Sequence, residues 1–145
     1  MQNFGTLEDK TVIEAVPYAD RMDVATPYQA LSRTAAQHGA RPAITFQIKS
    51  GPTDKAETLD WKSLHAQVTQ MANVLRAEGV GEGDTVAYML PNCNETAVTL
   101  LAGATAGIVN PINPLLEPEQ IGALLAETGA KVLVTLAPFP KTDVA

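Results

Sequence analysis

TVAYMLPNCNETAVTLLAGATAGIVNPINPLLEPEQIGALLAETGAKVLVTL, residues 85–136, decides the fold. Short apolar runs rich in β-branched residues alternate with longer segments of helical character. The spacing predicts strands over Thr85–Leu90, Ile108–Ile112 and Lys131–Leu136, with helices over Asn94–Ala106 and Pro118–Thr128 between them. That order is βαβαβ. Crossovers of this kind build a parallel sheet with right-handed connections and helices on both faces. Asn92 and Glu95 pair as a capping box for the first helix. Leu116 and Ile121 staple the start of the second, which has Pro118 in its first turn.

Upstream of this unit, Thr26 followed by Pro27 marks a helix start, with Leu31, Ala35 and His38 along one face and Gly39 as the stop. Ala43–Ile48 alternates as a strand and Thr58–Leu59 resumes extended character. Between them Lys49–Ala56 reads as the loose loop of a hairpin. Asp60 caps a further helix whose stripe is Leu64, Val68, Met71, Ala72 and Leu75, ending near Gly79. Residues 1–25 carry Pro17 and scattered charges without an apolar period, and are expected to form an arm. The expected organisation is therefore an arm over 1–25 and one domain over 26–145.

Composition narrows the function. A hydrophobic fraction of 46% with 18% charged residues suits one soluble domain. A formal net charge of −6 repels phosphate backbones, and aromatic content of 5% offers no stacking surface, so no nucleic-acid partner is expected. The most apolar stretch, Ala97–Val109, is too short to span a bilayer, so no membrane span is expected. Cys93 is the single cysteine and no secretory signal pattern opens the chain, which points to the cytoplasm.

In open α/β sheets ligands gather at the carboxyl ends of the strands. Those loops are Pro91–Asn94, Asn113–Leu116 and Ala137–Pro140. None carries a phosphate cradle: no G-x-G-x-x-G follows a strand, and no G-x-x-x-x-G-K-[ST] occurs. Gly79, Gly81 and Gly83 precede a strand and read as a helix C-cap and turn. Cys93 has no histidine beside it and reads as packing, while His38 and His65 lack the partners a metal site needs. Asp60 and Asp84 read as cap and turn residues. Asn92, Asn94 and Asn113 stand on the ligand edge, where an asparagine either caps a helix or touches substrate. They are the candidate substrate-edge residues. No catalytic, cofactor-binding or metal-binding residue is assigned.

Three words then carry a resemblance. GVGEGDTVA over Gly79–Ala87, LPNCNET over Leu90–Thr96 and NPINP over Asn110–Pro114 closely resemble the opening of the AMP-forming acyl-CoA synthetases, members of the adenylate-forming superfamily. TLDWKSL over Thr58–Leu64 stands where that family usually has Thr-Tyr-x-Glu-Leu, with Trp61 for the aromatic and Ser63 at a commonly acidic position. The likeness runs from about Thr26 to Leu136. It implies a longer parent that activates a carboxylic or fatty acid with ATP and magnesium to an acyl-adenylate, then passes the acyl group to coenzyme A. The family's phosphate loop and C-terminal lysine are missing from these residues. The chain alone is thus expected to be the first part of the large N-terminal domain, inactive and without a cofactor of its own. Its sheet border is expected to favour self-association. The readings from other classes are a stand-alone α/β small-molecule-binding module and an interaction domain without catalysis.

Overall fold

The strand Thr85–Met89 (β3) is buried along its whole length, as a strand must be when it has neighbours on both edges and helices on both faces. The computed structural model describes residues 5–49 and 51–136. Ahead of β3 lie α1 (Leu7–Glu14), α2 (Tyr18–Arg21), α3 (Pro27–His38), β1 (Pro42–Gln47), β2 (Ala56–Asp60) and α4 (Trp61–Ala77). After it come α5 (Asn94–Ala106), β4 (Ile108–Pro111), α6 (Pro118–Glu127) and β5 (Ala130–Thr135).

The sheet order is β4-β3-β5 and both pairings are parallel, with Val86 opposite Val109 on one side and Val132 on the other. Because successive side chains of a strand point to opposite faces, β3 feeds two cores. Val86 joins Leu64, Val68, Leu75, Val98 and Ala102 of α4 and α5. Ala87 and Met89 join Ile121 of α6 and Ile112 on the other face. Helices therefore cover both faces, and the βαβαβ reading of residues 85–136 holds.

The α4 stripe packs as the sequence predicts: Leu64, Val68, Ala72 and Leu75 are buried and Met71 is half-buried. Asp60 starts the helix by accepting from Ser63 N at 2.7 Å. Its end is a Schellman turn. Val80 N donates to Leu75 O and Gly79 N to Arg76 O, each at 3.0 Å, while Gly79 takes φ +84°. Buried Val80 shares the core with Leu75, the apolar contact that accompanies this motif. Asp84 then closes the following turn, accepting from Gly81 N at 2.7 Å and from Lys131 Nζ at 2.9 Å.

Two regions depart from the sequence reading. The hairpin loop, expected to be loose, is tied: the Gln47 amide donates to Gly51 O and Asp54 O at 2.9 Å, and Gly51 N donates to Asp54 Oδ2. Ser50 of that loop lies outside the described residues. The arm contains two short helices that the sequence reading does not assign. Thr6 and Asp9 cap α1 reciprocally, Asp9 N donating to Thr6 Oγ1 at 3.1 Å and Thr6 N to Asp9 Oδ2 at 3.0 Å. This start signal is local and independent of an apolar stripe, and neither α1 nor α2 buries a residue.

Three carboxylates sit below their ordinary range: Asp23 through the Arg33 guanidinium, Asp60 through Ser63, and Asp84 through Gly81 N–H and then Lys131. A carboxylate whose folded pKa is depressed lends stability above its unfolded value, about 3.9, and loses it as pH falls through the folded value. The melting temperature is therefore expected to drop as pH is taken from about 4 downward. Circular dichroism melts across that window check it, and a melting temperature that stays level through them contradicts the assignment.

Candidate functional site

The connections out of β3 and β4 run to opposite faces of the sheet, β3 to α5 and β4 to α6. Adjacent parallel strands whose exits diverge in this way leave a crevice beyond their carboxyl ends. Ile112 N donates to Tyr88 O at 2.8 Å and keeps the two strands together up to its mouth. Pro91–Cys93 and Asn113–Glu117, the segments that follow the two strands, would form its two lips. The third predicted loop, Ala137–Pro140, lies outside the described residues.

On the β4 side Asn113 is absorbed by its own turn. Its Oδ1 accepts from Leu115 N at 3.0 Å and its carbonyl from Leu116 N at 3.3 Å. Leu116 packs beside Ile121 as the staple requires, and Glu117 N donates to Gln120 Oε1 at 3.1 Å at the start of α6. The turn leaves Leu115 84% exposed.

On the β3 side the predicted Asn92–Glu95 box is not formed. The N-cap of α5 is Cys93, with no side-chain bond to the free N–H groups. Starting the helix one residue later puts Thr96 where the box needs Glu95. The Thr96 hydroxyl folds back onto Pro91 O, with Cys93 Sγ 3.2 Å from it. Asn92 is left exposed and lines a groove of ≈ 300 Å³ between β1 and α5, together with Ile44, Phe46, Cys93, Thr96, Ala97 and Leu100. Asn94 turns under the hairpin. It is 6% exposed, its Nδ2 reaches Glu57 O only at 3.5 Å, and its Oδ1 has no partner.

Sequence reasoning set these three asparagines on one edge; Asn92 and Asn113 are exposed in the loops after β3 and β4, Asn94 is buried at the start of α5, and no hydrogen bond joins them among the described residues. The different duties of Asn92 and Asn94 make a paired prediction. Asn92→Ala is expected to change stability by less than about 0.5 kcal/mol, since no cap is lost. Asn94→Pro is expected to stabilise by about 1 kcal/mol: an unpaired buried acceptor costs roughly 1–3 kcal/mol, and proline suits the first helical position. Cys93, before it, already has the extended backbone that proline requires, φ −159° and ψ 174°. Urea unfolding of both variants checks this. A loss above 1 kcal/mol in Asn92→Ala would restore the capping role.

Two polar pairs join α3 to α4. Ser32 Oγ meets His65 Nε2 at 2.9 Å and Tyr28 OH meets Thr69 Oγ1 at 2.7 Å, locking α3 to α4. Tyr28 also lies against the His65 ring, with centroids 5.3 Å apart. At the far end of the sheet a groove of ≈ 370 Å³ between α3, α4 and α5 holds Arg76. Its guanidinium donates to Thr105 O in the last turn of α5 at 3.2 Å, a favourable place for a cation. No group of three or more metal-ligating side chains gathers among the described residues. No helix there is long and apolar enough to cross a membrane.

Comparison with known proteins shows which family the chain resembles. The family model described as AMP-binding enzyme matches residues 31–145. The acetyl-coenzyme A synthetase of Sodalis glossinidius (strain morsitans) is 36% identical over 106 residues, covering 72% of this chain and 16% of that protein. The acetyl-coenzyme A synthetase of Beijerinckia indica is also 36% identical, over 109 residues that cover 74% of this chain and 17% of the relative. The chain thus spans about a sixth of the length of these relatives. Among solved structures, a Mycobacterium tuberculosis fatty acyl CoA synthetase aligns with TM-score 0.64 at 25% identity, covering 74% of this chain and 20% of that one. The N-terminal subdomain of Klebsiella oxytoca NpsA aligns with TM-score 0.68 at 19% identity, covering 81% and 29%, and supports the fold alone.

Proposed function

The chain belongs to the AMP-binding enzyme family, and from that premise we propose that it is the N-terminal part of an acid–CoA ligase. In the reaction proposed for the longer protein, a carboxylate oxygen attacks the α-phosphorus of ATP and pyrophosphate leaves. The thiol of coenzyme A, giving up its proton, then attacks the acyl carbon and AMP leaves. Magnesium offsets the phosphate charge when bound. The substrate is a fatty or other small organic acid. The observation that carries this reading is the 36% identity to acetyl-coenzyme A synthetases over 106 residues, beside a family match over residues 31–145 that includes the βαβαβ unit.

Within that reaction the described residues supply a wall and no reacting group. Of the two lips, the first carries exposed Asn92, whose amide is a neutral donor and acceptor suited to orienting an acid, while the Oδ1 and carbonyl of Asn113 on the second are taken by its own turn. The phosphate chemistry does not fit them: the sequence has no glycine-rich turn followed by lysine after a strand, so no step is routed through these residues. The test is ATP–pyrophosphate exchange by the protein encoded when the reading frame is followed past Ala145, with acetate, octanoate and benzoate in turn. Exchange that depends on one of these acids is expected. Exchange indifferent to all acids removes the ligase reading.

The 145-residue chain is further proposed to self-associate. β5 is a border strand paired on one side only among the described residues, and Leu133 and Leu136 keep exposed apolar surface there. The charge of −6 opposes association, but that repulsion is screened beyond about 10 Å at 0.1 M salt while burial contributes roughly 25 cal/mol per Å². Sedimentation velocity is expected to show a concentration-dependent dimer that Leu133→Lys weakens. One monomeric species at high micromolar protein contradicts it.

A further inference from the structure

We draw no further inference here: the strongest candidate, the open apolar groove between β1 and the first turns of α5 lined by Ile44, Phe46, Ala97 and Leu100, is an unpartnered surface, and nothing in the structure shows what covers it.

Discussion

Replacing Gly107 with alanine is expected to destabilise the chain by about 3 kcal/mol, the largest loss from adding a single methyl group. Gly107 joins α5 to β4. A Cβ there would stand 2.4 Å from Asp84 O and 2.7 Å from Gly81 O. Both are main-chain atoms and neither has room to retreat. Asp84 is held by Gly81 N–H and by Lys131, and its carbonyl accepts from Ile108 N at 2.9 Å. Relief requires pulling the start of β4 away from β3, which breaks that hydrogen bond and loosens the pairing of Thr85 with Ile108. Overpacking of this kind costs about 1–3 kcal/mol and the lost bond about 1 kcal/mol. Gly103 provides the contrast. A Cβ there meets Val109 Cγ2 at 2.9 Å and Val109 Cβ at 3.1 Å, side-chain atoms that are less crowded than the two carbonyls at Gly107, so Gly103→Ala is expected to cost less. Urea midpoints of the two variants measure the difference. Gly107→Ala within about 0.5 kcal/mol of the parent chain would mean the junction is looser than these distances.

Much of this fold is legible in the sequence because its signals are local and redundant. The 85–136 unit alternates apolar runs with helix-length segments, and every element appears within a residue or two of its expected bounds. Thr26, Asp60 and Gly79 declare helix ends by chemistry that needs no tertiary partner. Reading fails where one residue of phase matters. Asn92 and Cys93 are equally placed to begin α5 on pattern alone. The choice of Cys93 follows from the Thr96 hydroxyl returning to Pro91 O, a contact no spacing rule announces. The arm is a different case: Thr6 and Asp9 spell a capping box, but with no apolar stripe behind it the sequence assigns no helix there. The candidate site is legible only as an edge. That Asn113 would be consumed by its own turn, and Asn94 buried with an unpaired oxygen, depends on the hairpin carbonyl of Glu57 and on loop geometry. Neither leaves a mark in composition.

The second large effect concerns activity. The 145-residue chain is expected to show no acid-dependent ATP–pyrophosphate exchange, in contrast to the longer protein proposed above. Activating a carboxylate with ATP requires lowering a barrier by at least about 8 kcal/mol, most of it from cations and N–H groups placed around departing pyrophosphate. The lips of the crevice, Pro91–Cys93 and Asn113–Glu117, contain no lysine or arginine and include Glu117. Lys131, in β5, is already engaged with Asp84 and Gly79 O. A net charge of −6 adds a repulsive background for a polyphosphate. Apolar cores and a correctly wound sheet offset none of this, so the described residues are expected not to hold the nucleotide. The most direct measurement is calorimetric titration of ATP–magnesium into the purified 145-residue chain. A flat titration to millimolar nucleotide is predicted. A saturable isotherm would contradict the account, because the phosphate-binding machinery would then lie within residues 1–145 and the division between wall and chemistry would be wrong.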